Sequence, residues 1–247
     1  MKVGVLTSGG DAPGMNAALW TIAKMGAGRG VPIVGILRGY EGLLRGETRP
    51  LGLTDVDGIS RFGGTLLGSA RSAEFATAEG RKRAAEQIRA LGLDALIVIG
   101  GNGSLTGAHL LAKETPCRIV GIPASIDNDV GHCGMAIGVD TAVNTIVEAC
   151  DRISDTAQAH HRAFIVEVMG RRCGYLAMRS GLASEADAIL YAERDIGEDE
   201  LVAKLRDVIR RAFAPERGKR RVLIVKAEGV KVPTHVLRQR LQKHLDE

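Results

Sequence analysis

Short apolar runs alternate along the chain with stretches of helical spacing, and glycine punctuates the joins. Residues 2–7, 31–37, 95–99, 118–122, 163–168, 188–191 and 222–225 are brief runs rich in Val, Ile and Leu. Runs this short suit strands buried on both faces, as in parallel sheets. Between them the apolar spacing turns helical. An apolar helical stretch begins near Met15, and 78–91 places Ala84, Ala85, Ile88 and Leu91 on one side. A helix is expected over 104–112. A long one over 139–156 has Val139, Val143, Ile146, Val147, Cys150 and Ile153 as its buried stripe. Further helices are expected over 173–182, 198–212 and 233–245. Strand–helix alternation throughout predicts an α/β protein, doubly wound, with mostly parallel sheets. Neither an internal repeat nor a low-complexity linker interrupts it. A domain change near residue 138 is plausible, although composition does not mark it.

Composition adds limits. In 247 residues, 45% are hydrophobic and only 3% aromatic, so the core is aliphatic and small-chained, and 32 glycines call for an explanation. Glycine costs backbone entropy wherever no conformation or close approach requires it. No apolar run nears the roughly 20 residues of a membrane span. Lys2 follows Met1 at once, so no signal peptide is expected. The net charge of +4 is too mild to argue for nucleic acid. Cys117, Cys133, Cys150 and Cys173 form no CxxC pair and read as reduced thiols of a cytoplasmic protein.

Chemistry gathers where the strands end. Gly9-Gly10 and Gly100-Gly101-Asn102-Gly103 each follow an expected strand and precede an expected helix. Ligands of open α/β sheets bind outside the carboxyl ends of the strands, and a helix N-terminus favours anions. Two such turns in one sheet suggest a polyphosphate; two ordinary tight turns are the plain alternative. The second turn continues as GxGxxxG, not as the dinucleotide GxGxxG, and GxxxxGK[ST] is absent. After the strand at 118–122, Ser125, Asp127 and Asp129 follow Pro123. In extended chain the two carboxylates project to one side. One could hold Mg²⁺ while the other takes a proton from a hydroxyl nucleophile, unless the segment is simply an Asx-rich turn. Arg71 follows a glycine-rich stretch, Met169-Gly170-Arg171 follows another strand, and Arg162 precedes that strand. Arginine suits phosphate recognition. His160-His161 is no metal pair if both lie on a strand, since neighbours there face opposite ways.

The segments TSGGDAPGMNAA (7–18), GGTLLGSAR (63–71), GGNGSLTGA (100–108), PASIDND (123–129) and VEVMGRRCGYLA (166–177) resemble the bacterial ATP-dependent 6-phosphofructokinase family, in its order and at its spacing. The resemblance covers essentially the whole chain. It implies two Rossmann-like domains, a nucleotide-binding one over 1–138 and a sugar-phosphate-binding one over 139–247. It also implies phosphoryl transfer from ATP to the 1-hydroxyl of fructose 6-phosphate in glycolysis. By that resemblance Asp127 is the base and Asp129, with Asn102, places Mg²⁺. Gly10, Arg71, Gly101, Gly103, Ser104 and Gly107 line the nucleotide, with Tyr40 near its base or ribose. Arg171 stabilises the moving charge, while Ser125, Met169, Gly170 and Glu228 hold the sugar. Arg162 reaches the sugar phosphate of a neighbouring subunit in a homo-oligomer, a tetramer in the family. Neither nucleic acid nor membrane is expected as a partner.

Four departures qualify that picture. Asn102 stands where the family usually has Asp, which weakens metal binding or routes it through water. Ser125 replaces the common Thr. Trp20 and Ser154 stand at arginine positions of the effector pocket, although Lys24, Asp187, Lys219 and Arg220 remain compatible. The family continues for about another 70 residues, in a segment that returns to the first domain and helps clamp the sugar phosphate. Weak or no kinase activity is therefore expected of these 247 residues alone. Gly103 and Ala124 favour ATP, since pyrophosphate-using members resemble one another in carrying Asp and Lys there. The alternatives are a non-catalytic nucleotide-binding or regulatory paralogue and a pyrophosphate-dependent enzyme.

Overall fold

The computed structural model describes residues 1–245. It divides into two compact units, Met1–Val139 and Asp140–Glu247.

The first unit is built on a sheet of β1 (Val3–Ser8), β2 (Ile33–Ile36), β3 (Thr48–Pro50), β4 (Ala95–Gly100) and β5 (Arg118–Pro123). Their order is β3-β2-β1-β4-β5. All pairings are parallel except β2 with β3. Central β1 is buried along its whole length, which is why its sequence is nearly continuous and apolar. Its alternate residues feed two cores. Leu6, with Leu96 and Val98 of β4, meets α3 (Ala78–Ala90) and α4 (Asn102–Glu114) through Ile88 and Leu111. Val3 and Val5 meet α1 (Met15–Gly28) through Met15 and Leu19. The unit is doubly wound because neither face of the sheet can be left to water.

Two elements escaped the periodicity. α2 (Gly39–Arg45) is a short helix, entered through Arg38 at φ 54° and closed by Gly46 at φ 67°. Seven residues give too few turns for a 3.6-residue period to show. β3 is a three-residue edge strand ending in Pro50, where no ladder N–H is needed. β5 lies at the other edge and is largely exposed, with Val120 at 54%.

The second unit carries β6 (Ala163–Val168), β7 (Ala188–Leu190) and β8 (Val222–Ala227), all parallel, in the order β6-β8-β7. α7 (Glu198–Ala212) and α8 (Thr234–Leu245) cover one face through Leu201, Leu205 and Leu237. α5 (Val139–His160) and α6 (Tyr175–Ala183) cover the other through Cys150 and Ala177. On the expected α5 stripe, Val139 and Cys150 are buried, while Val143, Ile146, Val147 and Ile153 are half-buried. α5 also runs further than its spacing predicts. His160 closes it and His161 follows at φ 52°, so the strand argument about these histidines does not apply. Among the described residues there is no His/Cys/Asp/Glu cluster suited to a metal, and no helix is long and apolar enough to cross a membrane.

Candidate functional site

Register brings the first unit's turns together. Ser8 pairs with Gly100, and Gly100 with Pro123, so β1, β4 and β5 end level. Gly9-Gly10, Gly101 and Ala124-Ser125 therefore leave the sheet side by side at its carboxyl edge. α4 begins at Asn102, two residues earlier than its spacing predicts, so the glycine turn is itself the helix's first turn. No side chain caps it, and its N-terminal N–H groups and positive dipole end are left for an anion. Packing here is close. A Cβ on Gly100 would come within 2.5 Å of the Ser8 carbonyl and 2.8 Å of Ser104 Cβ, whereas one on Gly10 or Gly103 would meet nothing within 4 Å. Gly100 is thus demanded by the fold, while Gly10 and Gly103 leave open space beside the N–H groups.

The 63–71 segment is fastened to the same edge. Thr7 Oγ1 donates to the Gly68 carbonyl at 2.8 Å and lies 2.8 Å from Thr65 Oγ1. Ser69 Oγ donates to the Gly9 carbonyl at 2.6 Å. Buried Asn16 donates to the Phe62 and Gly63 carbonyls and accepts from Leu66 N–H at 2.7 Å. Arg71 emerges exposed at the end of this segment. Asn16 stands inside the first quoted motif, yet nothing in its spacing shows that its amide holds a segment some fifty residues on.

Tyr40, which the family resemblance places near the base or ribose, is only 4% exposed in this ligand-free structure. Its ring stacks on Phe75, with centroids 3.6 Å apart and an interplanar angle of 8°, and its hydroxyl donates to the Ser104 carbonyl at 2.7 Å. Burial pushes the phenol well above its ordinary pKa, so it stays a neutral donor. Tyr40 supports the turn from behind. Gly107 serves the same packing, since a Cβ there would come within 2.8 Å of Phe75 Cε1.

The 123–137 segment folds back on itself. Ile137 N–H donates to the Pro123 carbonyl at 2.9 Å and Ser125 N–H to the Ile137 carbonyl at 3.1 Å. Asp127 lies in a turn, its N–H 3.4 Å from Ser125 Oγ. Between the two carboxylates Asn128 takes φ 52° and accepts from Ala136 N–H at 2.9 Å through Oδ1. The extended-chain geometry expected for Asp127 and Asp129 is therefore replaced by a turn about a left-handed residue. Asp129 is exposed, as is Asn102. A carboxylate and an amide oxygen are each donors of the kind that Mg²⁺ accepts beside water and phosphate.

In the second unit, Met169, Gly170 and Arg171 follow β6, and Glu228 follows β8. The ladder continues past the strands, with Glu228 N–H donating to the Val168 carbonyl at 2.8 Å and Gly229 N–H to the Gly170 carbonyl at 3.2 Å. Gly170 has φ 132°, a conformation other residues rarely adopt, and a Cβ on Gly229 would strike the Arg171 carbonyl. Gly229 was not singled out from sequence, because a lone glycine carries no spacing signal. Met169 is 60% exposed, and Arg171 and Glu228 are exposed too. Arg162 precedes β6, and so lies about 20 Å away at the opposite end of that strand. β8 also holds Lys226, 1% exposed, whose Nζ donates to Glu167 Oε2 at 2.8 Å. Thr234 Oγ1 donates to the same oxygen. Near the expected effector positions Lys24 Nζ stands 4.5 Å over the Trp20 ring, and Arg221 Nη1 donates to Ser154 Oγ at 2.9 Å.

Parallel sheets with glycine turns and an uncapped helix N-terminus at their carboxyl edge define an α/β protein of the phosphate-binding kind. The phosphofructokinase family matches residues 2–247. The chain is 49% identical over 228 residues to an ATP-dependent 6-phosphofructokinase of Thermotoga petrophila, covering 92% of this chain and 70% of that one. It is 46% identical over 228 residues to ATP-dependent 6-phosphofructokinase 1 of Thermus thermophilus, covering 92% and 69%. Among solved structures it superimposes on phosphofructokinase from Saccharomyces cerevisiae with a TM-score of 0.86 at 39% identity, over 98% of this chain and 36% of that one. A pyrophosphate-dependent phosphofructokinase from Marinobacter aquaeolei, 20% identical with a TM-score of 0.83 over 100% of this chain and 66% of that one, speaks to the fold alone. The chain belongs to the phosphofructokinase family.

Proposed function

We propose that the protein transfers the γ-phosphoryl group of ATP to the 1-hydroxyl of fructose 6-phosphate. The observation that carries this reading is the level ending of β1, β4 and β5, which sets Asp127's turn beside the uncapped first turn of α4. The triphosphate lies along Gly10, Gly101, Gly103 and Ser104, with Arg71 against it, and the dipole end of α4 draws it in. The open space at Gly103 leaves room for the α-phosphate and nucleoside, which favours ATP over pyrophosphate. Asp127 accepts the proton of the sugar hydroxyl as the oxygen–phosphorus bond forms, and ADP leaves. The family resemblance assigns Arg171 of the second unit to the charge that builds on the transferring oxygens. Ser125 of the first unit, and Met169, Gly170 and Glu228 of the second, are the residues that the family resemblance assigns to the sugar. Asn102 and Asp129 would hold Mg²⁺, which when bound neutralises charge between the phosphates. Arg162, at the far end of β6, serves a neighbouring subunit's sugar phosphate in a homo-oligomer.

A coupled assay with fructose 6-phosphate, comparing ATP with pyrophosphate, tests the reaction and its donor. Asp127→Ser should lower kcat by about 10²–10⁴-fold and leave ATP affinity nearly unchanged. Persistent turnover in that variant would remove Asp127 from the role of base. A non-catalytic nucleotide-binding paralogue is the second reading, favoured by the neutral Asn102. ATP binding with no turnover, even alongside an active family member, would select it.

A further inference from the structure

We infer that Lys226 is a positioning residue for Glu228: its ammonium, held by Glu167, fixes the end of β8 from which Glu228 leaves. The inference deepens the reading of Glu228 as a sugar-binding residue and rests on it.

β8 is the central strand of the second sheet, between β6 and β7, and it is buried along its whole length. Lys226 is 1% exposed and lies on the same face as Val222 and Ile224, which pack with α7 and α8. A lysine is the costly choice there. A buried ion pair is often no more stabilising than apolar side chains of similar volume, so stability alone does not account for it. Its ammonium acts instead on the backbone around it. Nζ donates to Oε2 of Glu167, the residue opposite it in the β6 ladder, at 2.8 Å, and to the Ala227 carbonyl at 3.5 Å. Thr234, at the start of α8, donates to the same Glu167 oxygen. The chain leaves β8 after Ala227 and enters α8 at Thr234, so the loop over 228–233 is pinned at both ends through one carboxylate. Glu228 is the first residue of that loop and is exposed. Its N–H donates to the carbonyl of Val168, the neighbour of Glu167, at 2.8 Å, and Val230 N–H returns to the Ala227 carbonyl at 3.1 Å. The direction in which Glu228 leaves the sheet is therefore set by backbone that Lys226 and Glu167 hold.

Lys226→Met keeps the apolar stem and removes the charge. It orphans no buried partner, because the Glu167 side chain is 46% exposed. The test compares wild type, Lys226→Met, Glu228→Gln and the double variant by titration calorimetry with fructose 6-phosphate and, separately, with the Mg²⁺ complex of ATP. Melting temperatures and amide hydrogen exchange are followed alongside. Lys226→Met should melt no lower than wild type, yet exchange faster at the Glu228 and Gly229 amides than wild type does. It should bind fructose 6-phosphate about three- to tenfold more weakly and ATP as well as before. In the Glu228→Gln background the same substitution should cost little more, because both act through one side chain. Thr234→Val, which removes one hydroxyl from the same carboxylate, should give the same split at smaller size if Lys226→Met folds poorly. Losses that multiply in the double variant, equal losses for both ligands, or unchanged exchange and affinity overturn the inference. Glu228→Gln that binds fructose 6-phosphate as well as wild type, or a wild type that binds none, overturns the sugar reading of Glu228 and the inference with it. A weakened Glu228→Gln beside an unaffected Lys226→Met overturns the positioning role alone.

Discussion

Asn128 shows how much a single residue decides. It lies between two carboxylates in the left-handed region, which costs an ordinary L-residue about 1–2 kcal/mol, and its Oδ1 holds Ala136 N–H at 2.9 Å. Asparagine suits both demands, because it tolerates that conformation and supplies the acceptor. Asn128→Ala should lose both and destabilise the protein by about 1–3 kcal/mol. Asn128→Gly should lose only the hydrogen bond and fall between that variant and wild type. Denaturant midpoints of the three proteins check the ranking, and equal losses would show that backbone conformation is irrelevant here.

Among the elements, β6, β8 and α8 meet at one carboxylate. Glu167 accepts from Lys226, directly opposite it in the ladder, and from Thr234 at the start of α8. The Lys226 ammonium first, then the Thr234 hydroxyl, hold the Glu167 carboxyl below its ordinary value of 4.5. Such a group stabilises the fold fully above its unfolded value, and that stability is lost as pH falls through the lower folded value. Thermal midpoints should therefore drop below about pH 4.5 in part through Glu167, and Glu167→Gln should show a shallower drop. An unchanged acid limb would place the loss elsewhere. The sequence shows Glu167 and Lys226 only as polar residues inside apolar runs, so nothing local announces that they face each other. The long elements were legible because burial on both sheet faces imposes unbroken apolar strands, and Leu6 and Val5 can serve opposite cores only in that way. The glycine turns at the ends of β1 and β4 were legible for a related reason, since glycine at a strand end has few other uses. What stayed hidden depends on tertiary partners: α2, the turn at Asn128, the stacking of Tyr40 on Phe75 and the Asn16 brace.

At the scale of the whole molecule, β5 is the element least provided for. Its outer edge pairs with no other strand among the described residues, and Val120 is 54% exposed on it. Unpaired edges with apolar side chains invite strand-to-strand association. Val120→Lys should lower concentration-dependent association in light scattering and leave the melting temperature nearly unchanged. Association as strong as wild type would place the sticky surface elsewhere. Lys226 bears on the molecule's behaviour in another way. Most lysines react freely with amine-directed labels, but this one is 1% exposed and held by a carboxylate. Its acylation requires the second unit's sheet to open, so the labelling rate at Lys226, read by mass spectrometry against denaturant, becomes a built-in clock for the opening of that unit.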